Sequence, residues 1–280
     1  KMVRPYKVKG QKRKKKPEKF DKGDEESEDV VPPKKIRTED LVIDENDKLE
    51  TDADEMPGVP IIPSVNPSDK HHGDIIFILE KASLEIAKVG KSYHLLSSDE
   101  HANYLAKNKR NPAEYRPDIA FQTILTILDS RLNKSGRLKA LYVKTLQGLL
   151  LEIKPYARMP RTYKRFSGLM VQLLQKLHIT AAGKGEKLCR VIKSPVDQYL
   201  PANCRKIGLS HSSGKLVDMY SFVGTISNES DLVFVVGAMA HGKIDEKQVE
   251  EFISISEYPL SAAYCVSIIT TALEKKLKIL

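Results

Sequence analysis

Long hydrophobic runs are missing from this 280-residue sequence. No apolar stretch reaches the ~18 residues that a membrane-crossing helix needs, so no such helix and no membrane partner is expected. The basic opening at Lys1–Lys16 is not followed by an apolar segment and does not read as a secretory leader. Cysteine is scarce as well: Cys189, Cys204 and Cys265 form no C-x-x-C pair, which predicts reduced thiols in an intracellular protein instead of a disulfide framework. His71, His72, His94, His101, His178 and His211 stand at no metal-ligand spacing with them, so no metal site is expected.

Acidic residues are absent from positions 1–16, which carry nine Lys and Arg. Residues 17–70 reverse the sign, with seven basic and seventeen acidic side chains, and residues 71–280 return to a net +10. Charge, Pro32, Pro33, Pro57, Pro60, Pro63 and Pro67, and few aromatic anchors predict a disordered tail over 1–70. Within it, Lys12-Arg13-Lys14-Lys15-Lys16 and Lys34-Lys35-Ile36-Arg37 resemble nuclear-import signals, or add affinity for RNA, or do both. The remaining 71–280 is one domain, and its own positive charge favours a polyanionic partner.

Its pattern is α/β. Asp74–Leu79 reads as a buried strand, and Ser98-Asp99-Glu100 opens a helix running to about Asn108. Arg116-Pro117-Asp118 introduces a second helix with Phe121, Ile124, Leu125 and Leu128 on one face. Leu138–Lys144 and Leu149–Ile153 form a hairpin about Gln147-Gly148, and strands follow at Leu188–Ile192 and Arg205–Ser210. Apolar strands alternating with helices place the chain in this class.

The stretch from Leu232 to Ser261 organises the rest. Leu232–Val236 is a short continuous apolar run, as in a strand buried on both faces of a parallel sheet. Gly237-Ala238-Met239-Ala240-His241-Gly242 follows, a loop of small residues that lets a ligand approach main chain. Phe252–Ser256, Glu257–Ser261 and a closing helix complete it. The spacing Gly237-x-x-x-x-Gly242-Lys243 fails as a phosphate-binding loop, because Ile244 stands where Ser or Thr must hold magnesium; this weakens a nucleotide triphosphatase reading. The dinucleotide fingerprint fails for want of its second glycine. By itself the stretch is a ligand cradle or a tight turn in an α/β core.

The densest positive charge of the domain lies in Lys154–Arg165, at the start of an amphipathic helix carrying Phe166, Leu169, Met170, Leu173, Leu174 and Leu177. Cations are unfavourable at the dipole's positive end, so Arg158, Arg161 and Arg165 there invite an anion. Tyr156 and Tyr163, interleaved with them, suit stacking on unpaired bases. The plainer alternative is a solvated basic face. Arg116-Pro117-Asp118 likewise serves either as a simple helix start or as a second basic feature.

Val236–Lys243 followed by Ile253–Ala262, with the dense block Arg158–Leu177, resembles the Nep-type (Emg-type) rRNA pseudouridine N1-methyltransferases of the SPOUT class, and the similarity extends over about residues 74–280. The resemblance implies an α/β domain whose C-terminal chain is threaded through a trefoil knot, and a homodimer in the nucleus and nucleolus. It implies S-adenosyl-L-methionine as methyl donor, bound at Leu209, Gly237, Gly242, Ile255, Ser256, Glu257, Tyr258, Pro259 and Leu260. It also implies small-subunit rRNA as substrate, held by Arg116, Arg158, Arg161 and Arg165 with Asp118 fixing Arg116, and pre-ribosomal particle proteins as partners. No general base stands out, so catalytic residues are unassigned. The rival expectation is a non-catalytic ribosome-assembly factor that uses the same fold to clamp rRNA.

Overall fold

The structure, a computed structural model, describes residues 73–181, 185–245 and 249–280. The tail and its basic clusters lie outside the described residues. In chain order the elements are β1 (Ile75–Ala82), a hairpin of β2 (Ile86–Val89) and β3 (Ser92–Leu95), α1 (Ser98–Lys107), α2 (Pro117–Asp129), α3 (Arg131–Lys134), β4 (Leu138–Thr145) and β5 (Leu150–Ile153). They continue with α4 (Tyr163–Lys176), β6 (His178–Thr180), β7 (Lys187–Ile192), β8 (Arg205–Leu209), α5 (Met219–Gly224), β9 (Leu232–Gly237), β10 (Glu251–Ile253) and α6 (Ala262–Lys276).

Eight strands form one sheet in the order β10-β8-β9-β1-β4-β5-β7-β6. The first five are parallel to their neighbours, and β5, β7 and β6 extend the sheet in antiparallel fashion. The apolar run of β9 lies between β8 and β1, and its period-2 alternation divides it between two cores. Leu232, Phe234 and Val236 face one cluster with Phe77 and the helices; Val233 and Val235 face the other with Ile76 and Ile78. Phe77 and Phe234 are register partners, and their rings stack at 5.6 Å. A run without polar interruption is the signature of a strand with no solvent face, which is why this one was legible.

The helical face is built by α2, α4, α5 and α6, contributing among others Ile124, Phe166, Phe222 and Ile269. The buried face of α2 is broader than the stripe drawn from its sequence: Ala120, Thr123 and Ile127 are buried while Phe121 and Leu125 are half-buried. α2 packs on α6, α4 and β1 together, so no single stripe describes it. The cap of α1 falls one residue before the expected Ser98, since the Ser97 hydroxyl accepts from the Glu100 N–H at 3.3 Å. Gly148, at φ +87°, turns the β4–β5 hairpin. The β2–β3 hairpin, α5 and β6 were not anticipated; each has six residues or fewer per element, too short to show a period.

α6 is tied down by a buried carboxylate. Glu274 accepts from the Leu132 N–H at 2.9 Å and from Arg131 Nε at 3.0 Å, and its side chain is almost fully covered. The bond satisfies an N–H at the start of α3 that would otherwise be orphaned.

Candidate functional site

Because β10, β8 and β9 are adjacent and parallel, their C-terminal ends lie along one edge of the sheet. Leu209, Gly237 and Ile253 sit at those ends, and the loops that follow them enclose a cleft of about 880 Å³. Open α/β sheets place ligands at such an edge. Main-chain bonds stitch the loops together. Ser210 N–H donates to the Ile253 carbonyl at 3.0 Å, Ser254 N–H to Lys215 at 2.8 Å, and Val217 N–H to Ser254 at 2.8 Å.

The loop after β9 depends on two glycines for different reasons. Gly242 adopts φ +118°, a conformation that a Cβ-bearing residue rarely takes. At Gly237 an added Cβ would come within 2.9 Å of Met239 Cε, the mobile end of a flexible side chain. A residue that sequence reasoning missed also holds this loop. Lys81, itself in the left-handed region at φ +57° within the β1 irregularity between Leu79 and Ala82, donates from Nζ to the main-chain carbonyl of Lys243. Nothing local in the sequence marks it, because the contact spans 162 positions.

The start of α2 also lines this cleft. Arg116 Nε and Nη2 donate to the two carboxylate oxygens of Asp118 at 2.8 and 2.7 Å, a bidentate pair whose members both line the cleft. The hydrogen bonds from Arg116 hold the Asp118 carboxyl below its usual range, and the same bonds raise the Arg116 guanidinium. A carboxylate so engaged is a weak proton acceptor at neutral pH. The N-cap position of this helix is Arg116 and carries no side-chain cap; the Asp118 oxygens chiefly serve Arg116, with main-chain N–H groups of the first turn as lesser partners. Cys265 also lines the cleft, and burial pushes its thiol up to about 11, so it remains neutral at pH 7.

Of the residues expected to hold a cofactor, Leu209, Gly237, Gly242, Ile255, Ser256, Tyr258 and Leu260 line this cleft together with Arg116 and Asp118. Glu257 and Pro259 belong to the same loop but are exposed and outside the lining. Arg158, Arg161 and Arg165 are elsewhere. They surround a second cleft of about 950 Å³ that shares no lining residue with the first. Helix α2 joins the two: Asp118, Ile119 and Gln122 face the first, Leu125, Leu128 and Asp129 the second.

In the second cleft Arg161 pairs with Asp129 at 2.9 Å, and Lys134 reaches the same carboxylate at 3.7 Å. Thr162 at the N-cap of α4 makes no side-chain cap and no acid occupies the first turn, so Arg158 and Arg165 stand exposed beside an electropositive helix start. The tyrosines are less available than their spacing promised. Tyr163 is turned inward against Phe121 at 5.8 Å, edge to face, and burial pushes its hydroxyl up to about 12. Tyr156 is half-buried and donates its hydroxyl to Glu186.

Residues 77–274 match the family model described as EMG1/NEP1 methyltransferase. A Mus musculus protein, "Ribosomal RNA small subunit methyltransferase NEP1", is 48% identical over 201 residues, covering 72% of this chain and 81% of its own. The Caenorhabditis elegans "Ribosomal RNA small subunit methyltransferase nep-1" is 45% identical over 198 residues, covering 71% and 85%. Among solved structures, Archaeoglobus fulgidus Nep1 bound to S-adenosylhomocysteine superposes with a TM-score of 0.55 at 21% identity, over 74% of this chain and 99% of that one, a likeness of fold.

Proposed function

The chain belongs to the EMG1/NEP1 methyltransferase family, and from that premise we propose that it methylates nitrogen 1 of a pseudouridine in small-subunit rRNA, using S-adenosyl-L-methionine, as a step in small-subunit assembly. The observation that carries the reading is a cleft lined both by three parallel strand ends with their loops and by the Arg116–Asp118 pair. Relatives named as ribosomal RNA small subunit methyltransferases support the substrate, and the S-adenosylhomocysteine bound to the archaeal Nep1 supports the donor.

The residues fit the donor. A cleft of about 880 Å³ lies toward the upper end of the roughly 300–1,000 Å³ of small-molecule sites, which leaves room for a base beside it. Gly242 in its positive-φ conformation opens the loop to close approach, and Leu209, Gly237 and Ile255 through Leu260 are the residues proposed to hold it. S-adenosylmethionine supplies an electrophilic methyl on a sulfonium centre, which becomes a neutral thioether when a nitrogen lone pair takes the methyl.

The rest falls to this chain's own residues. In pseudouridine the glycosidic bond goes to carbon, so nitrogen 1 carries a weakly acidic, imide-like proton. Arg116, with guanidinium N–H groups beyond the two spent on Asp118, stabilises the negative charge that develops on the base carbonyls as that proton passes to water. Asp118 orients Arg116 and keeps it charged. The loops align the base, which in a single-stranded rRNA loop costs little to flip out. Arg158, Arg161 and Arg165 hold the flanking phosphates at the second cleft.

The finer features belong to the same proposal. The C-terminal chain passes through the 210–218 loop as a trefoil knot, a reading supported by the Leu216–Ser254 bridge and by α6 packing on α2 and α5 beyond it. The protein acts as a homodimer in the nucleus and nucleolus, with pre-ribosomal particle proteins as partners, and residues 71–280 are its catalytic domain. Titration calorimetry with S-adenosylmethionine, followed by methyl transfer to a hairpin containing pseudouridine, is the test. Micromolar binding and incorporation at nitrogen 1 are expected; RNA binding without either would establish the assembly-factor role instead.

A further inference from the structure

We propose that Gln122 holds the Watson–Crick edge of the target base by a two-point contact and so orients the ring in the cleft. The inference rests on the reading of the first cleft as the pseudouridine site.

Gln122 is one helical turn beyond Asp118, so both side chains lie on the same face of α2 and line the same cleft. It is the sole carboxamide among the lining residues. Several other polar groups of the cleft are engaged, although His211, His241, Lys243 and the Tyr258 hydroxyl also line it. Arg116 and Asp118 are paired with each other, and Ser98 Oγ donates to Asp99. Ser210 and Ser212 share a hydrogen bond, and Ser254 Oγ donates to the Ser256 carbonyl. Ser256 Oγ accepts from the Tyr258 N–H, and Ser261 Oγ caps α6 through the Tyr264 N–H. Gln122 enters this network through its main chain, whose carbonyl accepts from Thr126 Oγ1 at 2.9 Å. Its carboxamide is left exposed and without a partner among the described residues.

A carboxamide presents one acceptor and one donor in a plane. The imide edge of a uracil-type ring presents N3–H beside a carbonyl oxygen, which is the matching pair. Cytosine presents an unprotonated N3 beside an amino group, which a carboxamide meets by reversing its amide, so the contact holds and orients the base without excluding cytosine. In pseudouridine, N3 and the carbonyl at carbon 4 lie across the ring from N1. A base held by that edge against α2 therefore turns N1 away from α2 and into the cleft, where the donor is proposed to lie. The same contact does not distinguish pseudouridine from uridine, whose imide edge is identical; that choice falls to the chemistry at N1.

The test compares two hairpin RNAs, one with pseudouridine at the target position and one with 3-methylpseudouridine, whose methyl group removes the N3–H donor. Affinities are measured by fluorescence anisotropy without cofactor, using the full chain and its Gln122→Met and Gln122→Asn variants. Wild type should bind the 3-methyl hairpin about ten-fold or more weakly, the range for a two-point amide–base contact. Gln122→Met should bind both hairpins alike, at the weaker level. Gln122→Asn keeps the amide but shortens its reach, and should fall between. Melting curves and S-adenosylmethionine calorimetry should be unchanged in both variants. If Gln122→Met discriminates as wild type does, or if wild type does not discriminate at all, the inference is overturned. Should wild type fail to methylate the pseudouridine hairpin, the reading of the cleft falls and this inference with it; methylation by wild type with unaltered discrimination in the variants sinks the inference alone.

Discussion

At the scale of single residues, Asp118 and Gly242 illustrate two ways that one side chain governs the cleft. Asp118 accepts both hydrogen bonds from Arg116, and those bonds lower its carboxyl. A carboxyl lowered in the folded state stabilises above its unfolded value, near pH 4, and that contribution disappears as pH falls through the folded value. Asp118→Asn should therefore melt slightly below wild type at pH 7, with the gap closing in acid. The pair is partly exposed, so the difference should stay within about 1 kcal/mol. RNA affinity should fall, because Arg116 is no longer held, while calorimetry with S-adenosylmethionine is unaffected. Methyl transfer lost at saturating RNA with normal RNA binding would instead make Asp118 the proton acceptor. Gly242→Ala places a Cβ at φ +118°, a strain of roughly 1–3 kcal/mol that the loop relieves by moving. Donor affinity should drop ten-fold or more. Gly237→Ala displaces no more than the end of Met239 and should be milder; equal losses would show that conformation is not what Gly242 contributes.

Among the elements, α6 is held by a buried carboxylate as well as by its apolar face. Glu274 reaches across to the start of α3, where its carboxylate satisfies the Leu132 N–H and pairs with Arg131. Glu274→Leu would leave that buried N–H unpaired, at a cost of about 1–3 kcal/mol. Thermal melting should fall by several degrees. Glu274→Gln retains an acceptor oxygen and should lose less, and Arg131→Ala less again, because the arginine side chain is more than half exposed. A wild-type melting temperature for Glu274→Leu would mean that α6 is held by its apolar face alone.

For the whole molecule, the decisive property is that the Arg158–Arg165 block lies apart from the cleft proposed for the donor. Arg158, Arg161 and Arg165 gather at a different cleft from Gly237 and Gly242. The triple Arg→Ala variant should thus bind S-adenosylmethionine normally while its RNA affinity loses salt dependence. Each lost phosphate contact should reduce the slope of log K against log salt by roughly 0.7 for single-stranded RNA. Arg161 is already paired with Asp129, so its share should be the smallest. An unchanged slope would reduce the block to a solvated face.

Sequence alone determined the elements whose pattern is local. The unbroken apolar run of Leu232–Val236 announced a strand with two buried faces, and Phe166–Leu177 announced an amphipathic helix, because periodicity and burial are written residue by residue. The family was legible too, since its motifs at Val236–Lys243 and Ile253–Ala262 are contiguous. Tertiary structure alone decided what depends on distant partners. It placed Arg116 with the glycine loops and Arg158, Arg161 and Arg165 apart from them, and turned Tyr163 into the core. It also brought Lys81 to the Lys243 carbonyl and Glu274 to Leu132. Those contacts span up to 162 positions. No local pattern encodes them, because chain connectivity leaves such pairs independent until the sheet and helices have assembled around one another.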